Sequence, residues 1–222
     1  MNDTLQDAYN TLSAAFGAQH WWPGESPFEV IVGAILVQNT AWKNVEKAIA
    51  NLREAGLLTP AALTAVPQDE LEELIRPAGY FRVKAARLRN LLDFIVEKYD
   101  GSLEAMFAAP FDVLRAELLG VKGVGPETAD SILLYAGNMP VFVVDTYTHR
   151  VATRHGWIDH EADYHQLQEL FHDSLPFDAK LFSEYHALLV RVGHHHCRKI
   201  PKCNECPLRG MLPEGGVVEP GW

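Results

Sequence analysis

The sequence is poor in cysteine and contains no long apolar run. Only three of its 222 residues are cysteines, and they lie between positions 197 and 206. This clustering suits a metal site in a reducing compartment better than a disulfide framework. No stretch approaches the roughly 20 apolar residues of a membrane span, and the N-terminus lacks the charged-then-apolar order of a signal peptide. We therefore expect a cytoplasmic protein without membrane segments.

Positive charge is also scarce. The chain has 19 Lys and Arg against 29 Asp and Glu, which gives a net charge of −10. This balance argues against nucleic acid binding, because such proteins gain most of their affinity by neutralising phosphates. The cations nevertheless form two clusters, which are either solvated helix faces or a basic surface on an acidic body. The first comprises Arg82, Lys84, Arg87 and Arg89, and the second Arg191, Arg198, Lys199, Lys202 and Arg209.

Repeats, low-complexity tracts and Ser/Gly-rich linkers are absent, whereas apolar residues recur at helical spacing along the chain. Ser26 with Pro27, and Thr59 with Pro60, predict helix starts in which a cap residue precedes proline. Only residues 140–144 look strand-like, and their isolation predicts a buried approach to the next helix rather than a sheet. We therefore predict an all-α fold with short loops and a flexible tail at 213–222. Leu5, Tyr9, Leu12 and Phe16 illustrate the spacing.

A glycine-rich turn separates two helical patterns within residues 118–135. Gly123 and Gly125 permit positive φ and close backbone approach, and Pro126 suits the first position of the second helix. The free N–H groups at that helix start predict an anion site that grips a DNA phosphate without net positive charge. The flanking residues exclude a dinucleotide-binding fingerprint, which requires a preceding strand, and a P-loop, which requires Gly-Lys-Ser/Thr. The pattern is that of a helix-hairpin-helix, with DNA-binding candidates Gly120, Lys122, Gly123, Val124, Gly125 and Thr128.

A Val-Asp-Thr block centred on Asp145 follows the second helix. The chain resembles the endonuclease III branch of the helix-hairpin-helix DNA glycosylases. The resemblance rests on this block, the hairpin, the terminal cysteines, Gln38-Asn39-Thr40 and the segment Tyr80 to Leu88. The resemblance runs from about Trp21 to Cys206. It implies two helical lobes, in which Asp145 and the hairpin line a cleft for double-stranded DNA. We expect a monomer by default, and a protein associated with the nucleoid if its source is bacterial. The implied lobes are residues 22–136, with the hairpin at 112–136, and residues 1–21 with 137–212.

The resemblance implies that Asp145 is the catalytic carboxylate. Breaking an N-glycosidic bond builds oxocarbenium character on the sugar, which a nearby carboxylate stabilises. The alternative is that Asp145 only caps the helix beginning at Thr146. Bifunctional relatives carry a lysine where this chain has Glu127, and a carboxylate cannot form a Schiff base. We therefore expect a monofunctional glycosylase, unless Lys122 reaches the sugar; Glu127 is otherwise a first-turn acid that favours the helix dipole.

The motif Trp21-Trp22-Pro23, together with Gln38-Asn39-Thr40, Lys122-Gly123 and Glu127, resembles the 3-methyladenine glycosylases of this group. The resemblance implies that the aromatic residues help to form a pocket for a flipped base. A 3-alkylated adenine is cationic and already a good leaving group, so aromatic faces and an acidic environment suit it. Gln38 is a candidate for filling the gap left by the flipped base. The alternatives are that the two tryptophans pack in the core and that Gln38 is a solvated residue at a helix end. Two other functions compete with this one. The first is removal of a mismatched thymine or an oxidised base, with weak lyase activity, and the second is a non-catalytic DNA-binding module.

Cys197, Cys203 and Cys206 occupy the place where many endonuclease III relatives carry a four-cysteine loop that binds a [4Fe-4S] cluster. The fourth family position is not cysteine in this chain. Three thiols with a C-x-x-C-P ending still favour a metal over chance free thiols. His196, or one of the two histidines before it, can complete the set, and this keeps a zinc site open. We expect a structural metal loop at 197–206 that brings Arg198, Lys199 and Lys202 towards DNA.

Overall fold

The computed structural model describes residues 2–218, and this part of the chain is helical without any β-strand, as predicted. None of the helices described is long and apolar enough to cross a membrane. The α-helices are α1 (Asn2–Phe16), α2 (Pro27–Leu36), α3 (Trp42–Glu54), α4 (Pro60–Ala65), α5 (Gln68–Leu74), α6 (Phe81–Tyr99), α7 (Leu103–Phe107), α8 (Phe111–Gly120), α9 (Pro126–Ser131), α10 (Thr146–Arg154), α11 (Tyr164–Ser174) and α12 (Ala179–His195).

The chain divides into two compact units. One is the continuous segment Trp22–Met139, which contains α2 to α9. The other combines Met1–Trp21 with Pro140–Trp222 and contains α1 and α10 to α12. Short 3₁₀ helices at Arg76–Ala78, Cys203–Glu205 and Pro207–Met211 and a π-helical turn at Ile132–Ala136 complete the helical structure.

The helix starts follow the predicted cap chemistry. The Ser26 hydroxyl accepts a hydrogen bond from Glu29 N at 3.2 Å, and the Thr59 hydroxyl accepts one from Ala62 N at 3.2 Å. Proline follows each cap, where its missing N–H costs no helical hydrogen bond. Both predicted starts are confirmed.

Residues 141–144 are buried and lead into α10 without forming a strand, as the sequence predicts. The Phe142 ring stacks on Phe171, with the ring centroids 3.9 Å apart. Gln168 donates to the Phe142 carbonyl at 2.7 Å, and His172 Nε2 lies 2.9 Å from Phe142 N, so the buried backbone polar groups of this residue are satisfied. This packing fixes the point at which α10 begins.

The tail predicted at 213–222 is described as far as residue 218; residues 219–222 lie outside the described part. Gly216 N donates to the Pro213 carbonyl at 2.9 Å, which closes a turn. Val218 N donates to the Arg154 carbonyl at 3.0 Å. These two bonds attach residues 213–218 to the end of α10.

The sequence predicts that the first cationic cluster forms a solvated or DNA-facing surface. Two of its members, Lys84 and Arg89, instead bind carbonyl groups of the fold. Lys84 is 1% exposed, and its ammonium donates to the Leu36 carbonyl at 2.8 Å and the Ala78 carbonyl at 2.7 Å. Arg89 donates to the Leu63 and Thr64 carbonyls at the end of α4. The last carbonyls of a helix have no partner within the helix, and a cation satisfies them well. The expectation of a common surface is therefore wrong for Lys84 and Arg89.

Burial, together with the smaller effect of the nearby Arg87 charge, lowers the pKa of Lys84 to about 8. A lysine whose folded pKa lies below its unfolded value contributes stability that is complete above the unfolded pKa and is lost as pH falls through the folded pKa. Between pH 8 and the ordinary lysine value near 10.5, the native state therefore gains stability with rising pH.

We predict that the stability of the wild type rises by about 1 kcal/mol per pH unit between pH 8 and 10 relative to Lys84→Met. The variant has no ionisable group at this position, so other titrating groups cancel in the comparison. Urea unfolding of both proteins at several pH values measures the difference. Parallel pH dependences would contradict a buried lysine of lowered pKa.

Candidate functional site

The turn between α8 and α9 is built on a left-handed glycine. Gly123 has φ +100°, and a Cβ added to it would collide with Cγ of Arg87 on α6. Gly125 differs, because its φ is −100° and an added Cβ would meet no atom within 4 Å. Only the first glycine is therefore required both by backbone conformation and by close packing.

Gln38 fastens this turn to the end of α2. Its amide nitrogen donates to the Gly123 carbonyl at 3.1 Å and to the Thr128 hydroxyl at 2.9 Å. Its amide oxygen accepts a hydrogen bond from the Arg87 guanidinium. Asn90, one turn further along α6, donates to the Lys122 carbonyl at 2.8 Å. Gln38 is thus half-buried and hydrogen-bonded, and the hairpin is held from the turn that follows α2 and from α6.

A buried ion pair joins the two helices of the hairpin. The Asp130 side chain on α9 is fully buried, and its oxygens accept from Arg115 Nε at 2.7 Å and Nη2 at 3.0 Å. Bidentate contact with a guanidinium fixes orientation as well as distance. The helices of the hairpin are therefore locked to each other independently of the turn.

The other hairpin candidates lie in different environments. Val124 is buried, and Gly120 is the last residue of α8. The side chain of Lys122 is exposed, and Glu127 is exposed in the first turn of α9. The side chains at 122 and 127 therefore reach the solvent, whereas Val124 anchors the turn in the core.

Asp145 lies at the N-terminus of α10 and caps it. Its Oδ1 accepts a hydrogen bond from Thr148 N at 2.7 Å, so the cap predicted as the alternative role is real. The second oxygen, Oδ2, lies 3.7 Å from Nε2 of His186 on α12. Twelve per cent of the Asp145 side chain stays exposed, against 8% for His186. One carboxylate oxygen is therefore fixed by a hydrogen bond and the other lies within ion-pair range of His186, and the group is not sealed from solvent.

The ionised form of Asp145 is favoured in this setting. Burial alone would raise the pKa of the carboxyl, but the His186 imidazole and the Thr148 N–H oppose it. The net effect holds the pKa of Asp145 below its usual value. A negative charge is therefore present at the start of α10 at neutral pH, where the helix dipole also favours it.

The adjacent tryptophans belong to different units. Trp21 is half-buried, and its carbonyl accepts a hydrogen bond from the Ser183 hydroxyl at 2.9 Å. Trp22 packs edge-on against Trp42, with centroids 5.0 Å apart, and tilted against Tyr135 at 5.2 Å. Its ring also covers Gly33 on α2. Trp22 thus belongs to a half-buried aromatic cluster, which we call the Trp22 cluster (Trp22, Trp42 and Tyr135).

The three cysteines line a single small cavity. Cys197 is buried and the other two are half-buried, and none forms a disulfide. Burial raises the pKa of the Cys206 thiol, and the neighbouring thiols Cys197 and Cys203 raise it further. His196 also lines this cavity, and its Nδ1 is buried without a hydrogen-bond partner among the described residues. Within residues 2–218 no group of three or more His, Cys, Asp or Glu side chains is arranged around a single metal ion.

The amino-acid sequence and the fold both match known repair proteins. Residues 32–177 match the HhH-GPD superfamily of base excision DNA repair proteins. The chain belongs to this superfamily. It is 50% identical over 209 residues to a protein assigned as a DNA repair glycosylase in Methanocaldococcus jannaschii, covering 93% of this chain and 94% of that protein.

Two solved structures of this superfamily resemble the fold. An endonuclease III in a non-covalent complex with DNA has a TM-score of 0.82 and 28% identity, covering 97% of this chain and 96% of that chain. The 3-methyladenine DNA glycosylase MagIII of H. pylori, bound to 1,N6-ethenoadenine, has a TM-score of 0.75 and 28% identity, covering 86% and 97% respectively. This HhH-GPD protein is accordingly a DNA glycosylase, an enzyme that hydrolyses N-glycosidic bonds and whose partner is DNA.

Sequence reasoning did not identify three residues that support the candidate site. Arg87 and Asn90 hold the hairpin of this HhH-GPD protein, yet on a helix they look like ordinary surface residues. His186 faces Asp145, and the signal for it was a polar residue within the apolar face formed by Tyr185, Leu188 and Leu189. A buried polar side chain needs a partner, so that position indicated one.

We predict that Gly123→Ala destabilises the protein by about 1–3 kcal/mol, because alanine is strained at positive φ and its Cβ would collide with Arg87. Gly125→Ala is the matched control, and it should leave stability unchanged or slightly raised, because its backbone conformation suits alanine. Urea unfolding measures both. Equal effects of the two substitutions would contradict the special role of Gly123.

Proposed function

We propose that this protein is a monofunctional base excision glycosylase that removes N-alkylated purines such as 3-methyladenine. The observation that carries the proposal is the carboxylate of Asp145, whose pKa is held below its usual value, whose Oδ1 is fixed by a hydrogen bond, whose Oδ2 faces His186 at 3.7 Å, and which is still 12% exposed. A fixed anion of this kind suits a reaction in which positive charge develops on a sugar. The capping bond supports the proposal, because it holds Oδ1 in place while Oδ2 lies on the His186 side.

The absence of a lysine at position 127 supports the monofunctional reaction. Glu127 is exposed at the start of α9 and cannot attack a sugar to form a Schiff base. Lys122 is the amine in the turn, and Asn90 holds its carbonyl at 2.8 Å. We therefore assign base release to water activated by Asp145, with an abasic site as product.

Alkylpurine specificity is supported by aromatic surface near the start of α2. The Trp22 cluster offers electron-rich faces, which attract a cationic base such as 3-methyladenine. The solved structure of MagIII carries an etheno-modified adenine, and its fold covers 86% of this chain. In this proposal Trp21, Trp22 and Glu127 supply the stacking surface and the acidic environment for the flipped base.

We propose that the hairpin contacts the DNA backbone through main-chain N–H groups. This use of neutral donors explains how a chain of net charge −10 binds a polyanion. Gln38 has a double function in this scheme. In the free protein it holds Gly123 and Thr128, and filling the gap left by a flipped base would require it to exchange these hydrogen bonds for contacts with DNA.

We also propose that Cys197, Cys203 and Cys206 hold a [4Fe-4S] cluster, with His196 as the remaining ligand. The three thiols line the same cavity as His196, whose Nδ1 has no hydrogen-bond partner within residues 2–218, and this fits a donor set of three sulfurs and one nitrogen. The cluster would tie the loop to α12 as a structural element. Zinc held by the same four residues is the alternative.

We predict that Asp145→Asn abolishes base release, lowering the single-turnover rate by at least about 100-fold, and leaves DNA binding intact. Asparagine is as good an N-cap as aspartate, so α10 is expected to stay folded. Asp178→Asn makes the same change at the exposed cap of α12 and serves as the control. Full activity of Asp145→Asn would overturn the catalytic role of Asp145.

The substrate class is tested on the same DNA backbone carrying methylated purines, thymine glycol or a mismatched thymine. Release of 3-methyladenine in preference to the other two supports alkylpurine removal, and rapid release of thymine glycol without 3-methyladenine contradicts it. Borohydride added during turnover tests the monofunctional mechanism. A covalent protein–DNA adduct would overturn it and point to Lys122.

We predict that protein purified without oxygen contains iron and acid-labile sulfide and shows the broad visible absorption of an iron–sulfur cluster. Cys203→Ser should remove the absorption, and His196→Ala should weaken it. His194→Ala, at an exposed neighbouring position, is the control. A colourless protein with stoichiometric zinc would overturn the cluster.

A further inference from the structure

The residue that faces the catalytic carboxylate from α12 has no assigned role. His186 is 6% exposed, and its Nε2 lies 3.7 Å from Oδ2 of Asp145. This separation is within ion-pair range but longer than a direct hydrogen bond. We propose that His186 is a positioning residue for glycosidic bond cleavage, which orients Oδ2 of Asp145 and keeps that oxygen negatively charged. The inference rests on the proposed catalytic role of Asp145.

Contacts between α10 and α12 fix the distance from the imidazole to the carboxylate. Gly193 lies seven residues after His186, two turns further along the same face of α12. A Cβ on Gly193 would collide with Tyr147 of α10, so glycine lets the two helices approach closely. Arg150 of α10 donates to the Gly193 carbonyl at 3.2 Å. The ring at 186 is therefore held by the helix packing.

The same interface continues past the end of α12. Arg154, in the last turn of α10, is 6% exposed and donates to the Lys199 carbonyl at 3.1 Å. From Asp145 to Arg154 at the end of α10, the contacting residues on the other segment run from His186 to Lys199. The contacts therefore follow the same chain direction along both segments. Sliding of one helix along the other would break all of them together, so the imidazole is fixed in register with the carboxylate.

The two oxygens of Asp145 have different tasks in this arrangement. Oδ1 is held by Thr148 N, and its direction is set by the start of α10. Oδ2 depends on His186. With a hydrogen on Nε2, the ring presents positive charge or partial charge to Oδ2 in either protonation state. A carboxylate held by the cap alone would leave Oδ2 without the neighbouring imidazole, and its burial then favours the neutral acid, which cannot stabilise a developing cation.

Substitution of His186 tests this directly. We expect His186→Leu, which keeps most of the buried volume, to lower the single-turnover rate of base release by roughly 10- to 100-fold while the affinity for product DNA is unchanged. His186→Gln returns an N–H donor near the position of Nε2 and should recover most of the rate. Tyr185→Phe, at the adjacent buried residue, is the matched control and should release bases at the wild-type rate.

The outcomes separate this proposal from the proposed function. A slow Asp145→Asn together with a wild-type rate for His186→Leu overturns the positioning role alone. Equal slowing by His186→Leu and His186→Gln, in proportion to lost thermal stability, also overturns it, because a purely structural residue would behave in this way. A wild-type rate for Asp145→Asn overturns the catalytic assignment itself. Slowing by His186→Leu with recovery in His186→Gln supports the proposal.

Discussion

The contact between Gly123 and Arg87 is the constraint on which the hairpin depends. A left-handed backbone at this turn directs the following residues into α9, and the Arg87 side chain occupies the space that any Cβ would take. The guanidinium of Arg87 then reaches Gln38, which returns two hydrogen bonds to the hairpin. Three segments distant in sequence are thus joined through one residue without a side chain.

Helix α6 explains how an acidic protein uses its few cations. Lys84 and Arg89 satisfy carbonyls at the ends of other helices, and Arg87 holds the hairpin turn. Lys84 and Arg89 replace the solvation of a helix end by charge-assisted hydrogen bonds, which are stronger than neutral ones. These cations order the backbone, and we propose that the ordered backbone meets DNA through its N–H groups. Net charge is consequently a poor guide to the partner of this protein.

Features set by local chemistry could be predicted from the sequence. Cap residues before proline, the glycine corner and the carboxylate at 145 depend on neighbours within a few positions, and the structure has them where they were expected. The partners of these features could not be predicted. Arg87 meets Gly123 across 36 positions of sequence, and His186 meets Asp145 across 41. Such pairs are fixed by how helices pack, and side-chain spacing along one helix carries no information about that.

Asp145 also shows why capping and catalysis are not exclusive interpretations of one aspartate. A carboxylate has two oxygens, and the cap uses only Oδ1. In the proposed mechanism, fixing that oxygen removes rotational freedom from the carboxylate during folding, so this loss does not recur during the reaction. The helix dipole and the His186 side of the site both favour negative charge there, against the cost of burial. We therefore propose that the cap helps to make the carboxylate suitable for chemistry, and that folding of α10 prepares the site.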